Sequence, residues 1–213
     1  MSTNDLIEHL VGDLQPVARN APFRRVATGV LVGVAISAGM MLALLGGRPD
    51  FLRAILNEPS WLKAGYTLVL AACGFLAAFR LARPDGQALV PALLAGLSVA
   101  VIAGLAMLQA VAAPSFVRMQ LVFGNSALVC PWLIALLALP VVAGLFWAMR
   151  GLAPTQLRAA GLAAGLAGGA AGAWVYAFHC PEDSLPFIAL WYTAGIAMSG
   201  VVGLFLGPRL LRW

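Results

Sequence analysis

The chain has 213 residues, of which 62% are hydrophobic and only 10% charged, with a formal net charge of +5. A soluble domain has about 45–50% apolar and about 25% charged residues, so the polar surface here is too small to cover a water-soluble globule. This excludes a soluble enzyme or binding domain and implies an integral membrane protein. The 13 basic residues lie at the ends of apolar runs rather than in one patch, which argues against direct contact with nucleic acid.

The chain opens with "MSTNDLIEHLVGDLQPVARN". This stretch lacks the basic n-region of a secretory signal, so no cleaved segment is expected. Leu6, Ile7, Leu10, Val11 and Leu14 fall within an arc of about 140° at 100° per residue. Asp5, Glu8, His9, Gly12, Asp13 and Gln15 fill the other side. Ser2 and Asp5 fit a loose capping box, with Thr3 and Asn4 as rival caps, and Pro16 stops the helix. A helix of about a dozen residues is marginal alone in water, so the apolar side needs a surface. Membrane-surface helices are usually rich in Lys and Arg, whereas residues 1–15 hold three acids and neither base. An acidic helix of this kind suits a groove on a basic protein better. Asp5, Leu6, Ile7, Glu8, Leu10, Val11, Asp13 and Leu14 are the expected partner-binding residues.

Six apolar runs follow, at about 26–45, 61–79, 88–110, 128–149, 157–178 and 187–206. Each is close to the roughly 20 residues that cross a bilayer core of about 30 Å. Clusters such as "GGRPD", "ARPDG", "GLAPT" and "CPEDS" separate them. The expected fold is all-α, a six-span bundle (residues 23–213) behind a short cytoplasmic head (residues 1–22). With six spans, one side holds Arg19, Arg24, Arg25, Arg80, Arg83, Arg150, Arg158, Arg209 and Arg212. The other holds Arg48, Arg53, Lys63 and Arg118. Short basic loops stay cytoplasmic, which puts both termini inside.

No run carries an ionisable group near its centre, so charge-coupled transport is not expected. Small residues are plentiful instead: Gly161, Gly165 and Gly169, and Gly29, Gly33 and Ser37, recur every four positions. Such stripes let helix backbones approach closely. Packing within the bundle is the favoured use, with a homodimer seam as the alternative.

Three cysteines remain. Cys73 lies inside the second run, and Cys130 and Cys180 flank the outer ends of the fourth and fifth. Buried cysteine commonly acts as a small hydrophobe, and Cys73 is assigned no role. The other two face a compartment in which disulfides persist. A nucleophile with His179 as base is weak, because adjacent residues often point apart. A metal site drawing on His179, an acid and both thiols lacks the C-x-x-C spacing that supports zinc, and metal binding stays open. A thiol pair that is oxidised, or that captures a soft metal, is the third reading, with a permanent disulfide as its bland form. Glu182 and Asp183 then serve as loop solvators, with His179 as a further auxiliary group. No cofactor is implied.

Taken together, "DLIEHLVGDLQPVAR", "GGRPDF" after the first run, "FRLARP" after the second, a Cys before the fourth, "HCPEDS…LWY" and a closing "RLLRW" resemble the NrsF-like membrane anti-sigma factors. The resemblance spans essentially the whole chain. It implies a multi-pass protein of the bacterial inner membrane whose N-terminal segment holds an extracytoplasmic-function sigma factor. It also implies that two periplasmic cysteines, here Cys130 and Cys180, sense oxidants or heavy metals. That role is regulatory, not enzymatic. The rival readings are a membrane thiol-oxidoreductase or metal-handling protein, and a structural membrane scaffold.

Overall fold

The computed structural model describes residues 3–12, 18, 20–48 and 58–212. The side chains of Asn4, Leu6, His9, Leu10 and Glu58 are not among what is described. Every regular element among the described residues is helical: α1 (Thr3–Gly12), α2 (Ala21–Leu44), α3 (Glu58–Leu81), α4 (Leu89–Ala112), α5 (Ser115–Phe123), α6 (Cys130–Met149), α7 (Leu157–Tyr176) and α8 (Leu185–Leu210). Six of them, α2, α3, α4, α6, α7 and α8, are long and apolar enough to cross a membrane. The expected all-α fold with six membrane-spanning helices is therefore present.

α7 is the hub. Of its apolar stretch 78% is buried, against 17% for α4, and it packs on α8, α3 and α6, while α6 packs on α2. The cause is the run "GLAAGLAGGAAGA", whose small side chains bring neighbouring backbones into contact. A Cβ placed on Gly161 would collide with the Gly203 carbonyl of α8. Gly165 and Gly169 face Ser199 and Ile196 of the same helix. On the other flank, Gly29 of α2 meets the backbone of Gly144 of α6, and Gly33 meets Val141. Both small-residue stripes are thus used in packing inside the chain. α4, by contrast, exposes Leu93, Leu97, Met107 and Leu108. Lipid tails are as apolar as leucine, so this side suits the bilayer.

Three local features depart from expectation. α2 begins at Ala21, with Pro22 in its first turn, where a missing N–H costs nothing. A nine-residue helix, α5, fills the third loop. And α8 carries a π-helical turn at Ile188–Tyr192, a form that occurs mostly as single-turn bulges and often at functional sites.

Candidate functional site

The N-terminal ends of α3, α6 and α8 and the C-terminal end of α7 converge on Cys130 and Cys180. Cys130 opens α6, with Pro131 beside it and its N–H donating to Ser126 O at 2.9 Å. The chain leaving α7 makes one more turn, in which the N–H groups of His179 and Cys180 both donate to Tyr176 O, at 2.9 and 3.0 Å. Pro181 has no N–H and disfavours helical backbone at the residue before it, so the turn ends at Cys180. Both cysteines are fully buried free thiols. The two thiols are close enough to shift one another's ionisation, with the side chains of Tyr176 and Tyr192 beside them. Ser126 Oγ is 4.0 Å from Cys180 Sγ.

The loop that follows is held by charge. Lys63, in α3, is 1% exposed, and its ammonium donates to Cys180 O at 2.9 Å and to Glu182 O at 3.0 Å. It also pairs with Asp183 Oδ1 at 2.7 Å. Arg48 pairs with Asp183 Oδ2 at 2.8 Å, and Ser60 Oγ donates to the same oxygen at 3.0 Å. Burial alone would raise the Asp183 carboxyl, but the hydrogen bonds and charges of Arg48 and Lys63 outweigh it and hold the group below the usual carboxylate range. Asp183 is therefore an anchor, not a loop solvator. Glu182 also has a partner, because its Oε1 accepts the Asn125 N–H at 2.7 Å. The His179 ring bonds Gly46 O through Nδ1 at 3.0 Å, which ties it to the first loop.

These surroundings favour an ionised Cys180. Its thiol is pushed down to about 6, chiefly by the hydrogen bond from Cys130. Burial opposes this, and the Lys63 charge, the Glu182 N–H and the Tyr192 side chain assist it. The Tyr192 hydroxyl is buried with no partner that satisfies hydrogen-bond geometry, so it is a donor held beside the sulfur. The π-helical turn ends on Tyr192, and Lys63 Nζ lies 5.8 Å from the centre of its ring.

The structure brings together four of the expected auxiliary and sensing residues, Cys130, Cys180, Glu182 and Asp183, with His179 at the rim. Cys73 is elsewhere, lining an apolar cleft between α3, α4, α7 and α8. Sequence reading missed Lys63, Arg48, Tyr176 and Tyr192 as parts of this site. One signal for the first two was available: two adjacent acids in a loop without a base need cations from elsewhere in the chain, and few bases lie at that end of the apolar runs.

At the other end of the chain, a helix, α1, lies where the docking helix is expected. Ile7 and Val11, four residues apart, share one side and are 52% and 61% exposed. Asp5 and Glu8 are exposed as well. The backbone of Leu6 and Leu10 is helical, their side chains are outside what is described, and Asp13 and Leu14 lie outside the described residues altogether.

Residues 10–213 match the family model NrsF, described as negative regulator of sigma F. The chain is 41% identical to the probable anti-sigma-F factor NrsF of Azospira oryzae. It is 37% identical to the anti-sigma-F factor NrsF of Caulobacter vibrioides. Both alignments cover 100% of each chain. No solved structure matches.

Proposed function

The chain belongs to the NrsF family of negative regulators of sigma F, and from that premise we propose that it is an anti-sigma factor for an extracytoplasmic-function sigma factor at the bacterial inner membrane. The observation that carries this reading is the full-length identity with two anti-sigma-F factors, which reaches across residues 1–9 that the family model leaves out.

Both termini lie in the cytoplasm, and residues 1–22 form the docking segment. The exposed Ile7 and Val11 of α1, with Leu6, Leu10 and Leu14 of the same sequence stripe, seat in a groove of the sigma factor. Asp5, Glu8 and Asp13 face its basic rim. Docking occludes the surface that the sigma factor needs for RNA polymerase, and the chain itself touches no nucleic acid.

Cys130 and Cys180 are the sensor. Among the described residues, no group of three or more His, Cys, Asp or Glu side chains gathers where a metal ion could be held. Oxidation of the pair is the input taken here, and capture of a soft metal ion by the two thiols alone is its alternative. A change at the thiols alters the junction of α6, α7 and α8. Release follows only if the oxidised bundle binds the sigma factor less tightly than the reduced one.

The test is co-purification from cells, with residues 1–20 present and deleted. The intact protein should retain a sigma factor and the deleted form should not. An intact protein that retains none overturns the reading.

A further inference from the structure

We propose that Lys63 is a positioning residue of the thiol pair, which holds Cys180 in place and biases the pair toward its reduced form. This rests on the reading of Cys130 and Cys180 as a redox-active pair. Lys63 enters α3 from the outer side, yet it is almost completely buried, and a buried ammonium is costly unless it is paired. Its three donors are spent on one four-residue stretch: the carbonyls of Cys180 and Glu182 and the carboxylate of Asp183. A lysine whose task was only to neutralise Asp183 would not need the Cys180 carbonyl. Through that bond, the residue bearing the sulfur is fixed directly to α3.

The electrostatic consequence follows from what surrounds the sulfur. Cys130 comes from α6, Tyr176 from α7, Tyr192 from α8 and Lys63 from α3. Glu182, Asp183 and His179 come from the loop, and Arg48 lies behind Asp183. Lys63 assists the negative form of Cys180 and disfavours nothing in the disulfide, which carries no charge. In the reaction Cys130–SH + Cys180–S⁻ + RSSR → Cys130–S–S–Cys180 + RSH + RS⁻, two electrons pass to the small disulfide RSSR and the Cys130 proton passes to one of its thiols. The anion next to Lys63 disappears. The lysine therefore stabilises the left side, and removing it favours oxidation. Asp183 has the opposite influence, because it draws the Lys63 charge to itself.

The experiment uses the full chain in lipid nanodiscs at neutral pH, equilibrated with graded ratios of reduced and oxidised glutathione. The free thiols of the Cys130 and Cys180 peptides are then counted by mass spectrometry. Lys63→Met should shift the equilibrium toward disulfide by about tenfold, or about 30 mV. Lys63→Arg should restore most of the wild-type value, and Asp183→Asn should shift it the other way. Shifts of Lys63→Met and Asp183→Asn in the same direction, or no shift in either, overturn the proposal. Where Lys63→Met does not fold, Asp183→Asn decides: a shift toward thiols supports the proposal, and any other result overturns it. The measurement contains no sigma factor. A Cys180→Ser strain that still responds to oxidant would end the sensing reading and leave this result standing.

Discussion

The ammonium of Lys63 lies 2.7 Å from Oδ1 of Asp183, with the two side chains 1% and 18% exposed. They are 120 positions apart in sequence, by their numbering, and the pair closes the N-terminal end of α3 onto the turn that carries Cys180. Breaking a buried pair by removing one partner leaves an uncompensated charge and costs roughly 3–5 kcal/mol. Asp183→Ala should lower thermal stability in nanodiscs accordingly. A loss under about 0.5 kcal/mol would show that Arg48 and Lys63 are satisfied without it.

The same pair sets an acid limit. The Asp183 carboxyl is held below its ordinary value in the folded chain, so it binds its proton less readily folded than unfolded. Its contribution is therefore fully present above the ordinary carboxylate value of about 3.9. It is lost as pH falls through the lower folded value. Thermal unfolding from pH 5 down to about pH 2 should show this loss in the wild type, beginning near pH 4. Asp183→Asn should flatten the Asp183 part of the slope.

Cys180 should be the faster of the two paired thiols toward a small alkylating reagent at neutral pH. Its folded value of about 6 is below that of a free thiol, about 8.5, and the thiolate is the nucleophile. The labelling rate should level off near neutral pH instead of climbing to pH 9. A profile that still rises through pH 8.5 would contradict an ionised Cys180. Cys73→Ser should leave the profile unchanged.

At the N-terminal helix, Ile7→Ser combined with Val11→Ser should weaken retention of the sigma factor without lowering the amount of protein in the membrane. Fully burying a side chain of this size contributes about 1.5–3 kcal/mol, and each 1.4 kcal/mol is about tenfold. Affinity should fall about a hundredfold or more. Retention equal to the wild type would remove the exposed side of α1 from the interface.

The glycine contacts give a contrast within one experiment. Gly161→Val places atoms against the backbone of Gly203, which cannot yield, whereas a Cβ on Gly39 or Gly104 meets nothing within 4 Å. Overpacking typically costs about 1–3 kcal/mol. Gly161→Val should lose monodisperse protein while Gly39→Ala and Gly104→Ala keep it.

The membrane-spanning architecture was legible because it depends on one-dimensional quantities. A bilayer imposes a length, so runs such as "LVPALLAGLSVAVIAGLAMLQAVA" declare a span without reference to any other residue. The amphipathic pattern of α1 and the small-residue stripe of α7 are local periodicities of the same kind. α5 was not legible, since nine residues in a loop carry no length signal. Neither was the π-helical turn, since it depends on how α8 packs.

The thiol pair was legible as one of three readings of two cysteines at the ends of apolar runs. That Cys130 and Cys180 meet, that Tyr192 aims an unpaired hydroxyl beside them, and that Lys63 fixes their loop were decided by tertiary structure. The physical reason is that a buried charge is tolerated only where partners converge on it, and its partners come from helices and loops that sequence spacing does not relate. Hydrophobicity determined which segments of this protein enter the membrane. The packing of those segments decided which polar side chains would have to satisfy one another.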